Sequence, residues 1–380
     1  MGPLLAAALL SLSAVPAAAE ASITWRGKRL KLAQLPGELE GATARAIALW
    51  EPWAAKQGYK IDVDDAARLV ILTPRTSSRA NKARSLSAKC EEWFEALLPP
   101  PPRAAAAPAT GGIPEDPEAP RSKPLPPPRD TTVETGIAAP DTQTPVLLVL
   151  AKEKDQVSAA AFLGSLRADL AAWARSAPEK LGFVVEVPLC AAYVEDAAGQ
   201  EEWDADHELV SRVARLLTLA RFSQMPYWLA CGLAFEAEMT LDGSIWSYPY
   251  RDEFVYTVEH AAWPGDLARE FEGRAGKPLG IDEVARWRRG VWDGDAARKA
   301  WGLTRYLAQA HAKSMHLVLE DLRRHRDEHG RVTQDDGTWR RSPDYEVPAE
   351  EQLAILKRRC GEKVLEEASA WFPKAAAKAK

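Results

Sequence analysis

His207 and Glu208 open the stretch His207-Glu208-Leu209-Val210-Ser211. On a helix, two histidines four places apart lie on one flank and can share a Zn²⁺, while a glutamate directly after the first activates a metal-bound water. Ser211 stands where the second imidazole would be. A neutral hydroxyl is a poor zinc ligand, so one part of that chemistry is missing. Glu208 is the candidate base, and His207 is the first candidate metal ligand.

About one loop further on runs Pro226-Tyr227-Trp228-Leu229-Ala230-Cys231-Gly232-Leu233-Ala234-Phe235-Glu236-Ala237-Glu238. This segment resembles the second active-site helix of gluzincin metallopeptidases, which carry P-x-W-L-x-E-G-L-A-x-Y-x-E there. The resemblance implies that the glutamate before the glycine is the third zinc ligand, and the matching position holds Cys231. Trp228, Leu229, Gly232, Leu233, Ala234 and Glu238 keep the pattern, and the resemblance implies that they are packing positions. Two of three ligands are therefore changed while the scaffold around them is kept. Arg68 to Thr73, Pro145 to Leu150, Ala297 to Leu307 and a closing helix pair around Cys360-Gly361 are similar to further parts of secreted, gluzincin-like bacterial proteins, so the resemblance spans roughly residues 60–373.

The elements that must position these residues follow from periodicity. Leu209, Val210, Val213, Leu216, Leu217 and Ala220 form an amphipathic stripe beside His207 and Ser211. Pro226 predicts a helix start. Further helices are expected at residues 38–57, 78–98, 155–177, 252–272, 281–288, 295–326 and 348–371, and strands at 60–64, 67–73, 145–150 and 182–187. The reading is an α+β fold: a small N-terminal sheet with helices, followed by a mainly helical, gluzincin-like region.

Residues 1–19 form an apolar run ending in small residues, as a secretory signal peptide does, so export to the periplasm or extracellular space is expected. No later window is apolar for long enough to span a membrane. The 380-residue chain carries a net charge of -5 from interspersed signs, which argues against nucleic acid as a partner. Half of its 28 prolines fall in residues 99–145, a segment expected to be an extended, disordered insertion. The domain plan is thus a signal peptide at 1–19, an α/β part at 20–98, the insertion at 99–145, the gluzincin-like region at 146–373 and a Lys/Ala tail at 374–380.

Cys90, Cys190, Cys231 and Cys360 are too scattered for a disulfide framework. A Cys190–Cys231 bridge sealing the cleft and a pair of buried thiols are both open at this point. His311 and His316 are five apart, His325 and His329 four apart in a charged stretch, and all four read as incidental surface histidines. Fourteen tryptophans is a high count, explained mostly by helix packing, and Trp228, Trp246, Tyr248 and Tyr250 are the aromatic candidates for ligand contact.

The leading expectation is an exported, non-catalytic relative of gluzincin peptidases without a cofactor, whose former substrate cleft binds a peptide, protein or cell-envelope polymer. On that expectation, replacing His207 by alanine leaves stability nearly unchanged, whereas replacing Trp228 or Gly232 destabilises the fold. The rival is an active zinc-dependent peptidase using His207, Cys231 and a carboxylate of the second helix, Glu236 or Glu238. A third reading is an unrelated helical envelope protein.

Overall fold

The computed structural model describes residues 21–39, 41–65, 68–76, 79–99, 143–177, 181–196, 203–247, 258–273, 278–287, 294–333, 335, 337, 339–342 and 344–378. The first part of the chain builds β1 (Ser22–Trp25), β2 (Lys28–Leu30), α1 (Gly41–Gln57), β3 (Tyr59–Asp64), β4 (Leu69–Pro74), α2 (Ala80–Leu97), β5 (Val146–Leu150), α3 (Glu153–Leu166), α4 (Ala171–Ser176), β6 (Gly182–Val185) and β7 (Cys190–Val194). Its strands form one seven-stranded mixed sheet in the order β2-β1-β3-β4-β5-β7-β6. The fold is α+β, with helices covering both faces of this sheet and continuing beyond it.

The covering of both faces follows from strand direction. β1 and β3 are parallel and joined through α1, and β4 and β5 are parallel and joined through α2, while β3 and β4 are antiparallel. Right-handed crossovers from strands that run opposite ways place their helices on opposite faces. Accordingly Ile47, Trp50 and Trp53 of α1 pack with Ile61, Leu72 and Leu148 on one side. Leu86, Cys90 and Phe94 of α2 pack with Ile71, Leu147 and Ala191 on the other. Residues 98–145, including the proline-rich run, connect two neighbouring strands of a single sheet, and most of that run lies outside the described residues.

The second face also receives α5 (Ala205–Phe222) and α6 (Tyr227–Leu241), followed by a β8 (Trp246–Ser247) and β9 (Val258–Glu259) ladder, α7 (Trp263–Phe271), α8 (Ile281–Ala285), α9 (Gly294–Ala310), α10 (Ala312–His329), a β10 (Arg331–Thr333) and β11 (Trp339–Arg341) hairpin, α11 (Ala349–Cys360) and α12 (Val364–Lys378). Among the described residues, no helix is long and apolar enough to cross a membrane.

Several expected elements are corrected. β7 was not anticipated: it is buried along its whole length, so it shows no alternation, as do the central strands β4 and β5 over nearly all of theirs. The expected helix at 155–177 breaks at Arg167, whose backbone is extended at φ -140 and whose Nη1 donates to the Val187 carbonyl at 2.9 Å. The helix at 295–326 is two helices meeting at His311. Of the helix expected at 252–272, residues 252–257 lie outside the described residues, Val258–Glu259 form β9, and the helix that follows begins at Trp263, with Pro264 in its first turn. Gly361, at φ +109, divides α11 from α12.

α6 and α9 cross with almost no space between them. A Cβ on Gly232 would stand 2.2 Å from Thr304 Oγ1 and 3.1 Å from the Ala300 carbonyl. The Gly232→Ala variant is therefore expected to lose about 1–3 kcal/mol of stability from overpacking. Adding Thr304→Ala removes the struck hydroxyl and should return part of that loss in urea unfolding. A Gly232→Ala protein as stable as the parent would contradict this crossing.

Candidate functional site

α5 is the helix on which the candidate chemistry sits, and fourteen of its eighteen residues are buried. It is not a surface helix with one apolar stripe. It lies between the sheet and the helices beyond, so its polar residues must find partners inside the protein. Asp204 caps its start, accepting from the Asp206 and His207 amides at 2.8 and 3.2 Å. Arg79, just ahead of α2, pairs with Glu195 at 2.8 Å and with Asp206 at 2.9 Å, and Lys82 also pairs with Asp206. The first turn of α5 is thereby tied to α2 and to the end of β7.

Glu208 is fully buried and its Oε2 accepts from Arg212 Nε at 2.9 Å. Arg212 is buried as well and runs against β6. There a Cβ on Gly182 would lie 3.0 Å from both Nε and Nη2, so glycine leaves the room that the guanidinium fills. Glutamate followed four residues later by arginine is a favourable helical pair, and burial turns it into an obligatory one. Arg212 was not singled out from the sequence, although this spacing is legible there.

His207 is buried, and its Nδ1 lies 3.4 Å from Oε2 of Glu238, which is itself fully buried. The same Oε2 accepts the Trp246 backbone amide at 3.0 Å. Burial works against an imidazolium here, but the Glu238 carboxylate, helped by Asp242 and Asp204, outweighs it and raises His207 above its ordinary 6.5. The Nδ1 contact is an ion pair without good hydrogen-bond alignment. The Trp246 ring lies 6.0 Å from the imidazole, and Trp246 is half-buried.

Ser211 and Cys231 are both buried, the first one turn along α5 from His207 and the second on α6. Ser211 offers only a neutral hydroxyl where a second imidazole would stand, so of the three ligand positions only His207 and Cys231 carry donors that zinc prefers, and the adjacent Glu208 carboxylate is bound to a buried guanidinium. Among the described residues, no group of three or more His, Cys, Asp or Glu side chains is placed to hold a metal ion. Glu236, one of the carboxylates considered for that role, accepts instead from Trp301 Nε1 at 3.0 Å and pairs with Arg305 at 3.3 Å.

Trp228 is buried and donates its Nε1 to Gln352 Oε1 at 2.6 Å, which ties α6 to α11. Tyr248 and Tyr250 lie outside the described residues. Cys190 belongs to the core on the α1 side of the sheet and Cys231 to the core on the α5 side, and neither is in a disulfide. The sheet itself separates them. Of the four histidines read as incidental surface groups, His329 is exposed, whereas His311 Nε2 lies 2.9 Å from Tyr306 Oη and His316 packs its ring 5.5 Å from Phe222. No protein-family model and no curated protein matches the chain.

The geometry revises the expectation that His207 is dispensable for stability. Removing one member of a buried ion pair strands the other, so Glu238→Gln is expected to cost about 3 kcal/mol at neutral pH. The pH dependence has a fixed sign. A histidine whose folded value is raised contributes fully below its unfolded value of 6.5, and that contribution disappears as pH rises through the higher folded value. The stability gap between the parent and Glu238→Gln should therefore narrow as pH rises above about 6.5 in urea unfolding. A gap that widens with pH would overturn the pairing.

Proposed function

We propose that this chain is an exported, non-catalytic relative of the gluzincin metallopeptidases, and that the region beside Trp246 binds a peptide, protein or cell-envelope polymer. The observation that carries the reading is the Glu208–Arg212 pair. A carboxylate that must take a proton from a metal-bound water has to be unencumbered and face the metal. Glu208 is instead neutralised by a guanidinium inside the core at 2.9 Å. A buried cation at that place also opposes a Zn²⁺ ion.

The Glu238 contact supports common descent from a metal site. Histidines that bind zinc commonly hold their second ring nitrogen against a carboxylate, which orients the ring. Glu238 stands in that relation to His207 Nδ1. The orienting partner is thus kept where two ligand positions hold Ser211 and Cys231. The apolar run at residues 1–19 supports export, and the half-buried Trp246 beside His207 supplies an aromatic face for a ligand.

Elemental analysis and peptide-hydrolysis assays on the parent, Glu208→Gln and a folded His207→Gln protein test the catalytic half of the proposal. The expected result is no hydrolysis above background and a zinc content unaffected by His207→Gln. Hydrolysis that is lost in Glu208→Gln would establish the enzyme reading instead. Titration with a mixed peptide digest and cosedimentation with cell-wall polymer test the binding half. Trp246→Ala should weaken whichever interaction is found by at least about tenfold, and retention by neither probe would contradict it.

A further inference from the structure

α10 carries a pair of imidazoles, far along the chain from the single histidine of α5. His325 and His329 stand one turn apart in its last turns, with ring centroids 4.4 Å apart and planes tilted by 39°. Two histidines at this spacing present their ring nitrogens on one flank, the arrangement by which a helix chelates a transition-metal ion. Nothing in the α5 and α6 site uses either ring.

His325 is oriented from behind. Its Nδ1 lies 3.3 Å from Tyr345 Oη, and the two rings stack at 6.4 Å with an interplanar angle of 20°. Gly330 makes room for that tyrosine, because a Cβ there would stand 3.2 Å from Tyr345 Cγ and Cδ1. With Nδ1–H donated to the phenol oxygen, the lone pair of Nε2 points away from Tyr345. Metal-binding imidazoles are held in this way by their second nitrogen. Across from Nε2, at 3.9 Å, is Oε2 of Glu351 in the first turn of α11, on a side chain that is 50% exposed and can rotate.

The electrostatics favour a cation. The carbonyl end of a helix carries partial negative charge over its last turn, where His329 lies, with His325 one turn before it. Two of the neighbouring guanidiniums are engaged elsewhere. Arg326 turns inward to Ser223 and Gln224, and Arg331 stacks on Trp339 at 4.6 Å while donating to the Asp327 carbonyl.

We propose that His325 and His329, with Glu351 as third donor, form a binding site for a divalent transition-metal ion that prefers imidazole, such as Zn²⁺ or Ni²⁺. The two imidazoles are already together. As they stand the three side chains are not placed to hold an ion, and Glu351 completes the set by turning onto the ion as it binds. Two imidazoles and one carboxylate leave coordination positions open to water or an anionic ligand.

The test is calorimetric titration of Zn²⁺ into the untagged full chain after chelator treatment, with His329→Asn, His325→Asn and Tyr345→Phe alongside. His329 is exposed, so its variant is expected to fold like the parent, which circular dichroism checks. The expected result is one saturable site per chain, weakened by at least about tenfold in either histidine variant and by up to about tenfold in Tyr345→Phe. Absence of a saturable site in the parent, or an affinity unchanged in His329→Asn, would overturn the proposal.

Discussion

The buried pair of Glu208 and Arg212 is the constraint on which the centre of this protein depends. α5 occupies the space between the seven-stranded sheet and the helices beyond it, where most of its length is buried. A charge there is tolerable only when an opposite charge meets it inside. Glu208 and Arg212 meet each other one turn apart, and the guanidinium fills the space that Gly182 leaves on β6. His207 and Glu238 meet across the α5 and α6 contact. Sheet, α5 and α6 are therefore locked by two charge pairs as well as by apolar packing.

The same constraint governs what chemistry the site supports. A carboxylate held by a guanidinium is not free to act as a base over a metal-bound water, whereas a carboxylate behind an imidazole suits a scaffold and a metal site alike. On the proposed reading, positions with the spacing of a hydrolytic centre serve as the internal joinery of a scaffold, and ligand chemistry is displaced to the edges, at Trp246 beside β8 and at the imidazoles near the end of α10.

Much of the fold could be read from the chain. The helix from Ala205 follows an apolar stripe and begins at an Asp204 cap, and Pro226 places the start of α6. The strands Tyr59–Asp64, Leu69–Pro74 and Val146–Leu150 fall within a few residues of their expected positions. β7 was missed because Cys190-Ala191-Ala192-Tyr193-Val194 has neither an alternating pattern nor the run of branched aliphatic residues that marks the similarly buried β4 and β5, and His311 divides two helices without a proline or glycine to mark the break. Of the candidate site, the sequence showed which residues could do chemistry but not which way they face. His207 and Cys231 were named for a shared metal, with Ser211 in the place of a lost ligand. Glu238 was read as packing or as the rival's third ligand and Arg212 was passed over, yet these two carry the charges that meet His207 and Glu208. Direction was the missing information, since one helical flank serves a cleft or a core equally well.

A double-mutant cycle on Glu208 and Arg212 tests the central claim most directly. Unfolding free energies would be measured for the parent, Glu208→Gln, Arg212→Met and the double variant. If the pair is structural, each single change is strongly destabilising and the double is far less so than their sum, giving a coupling of at least about 2 kcal/mol. Additive effects, with Glu208→Gln as stable as the parent, would contradict the account and return Glu208 to the role of an unpaired acid or base.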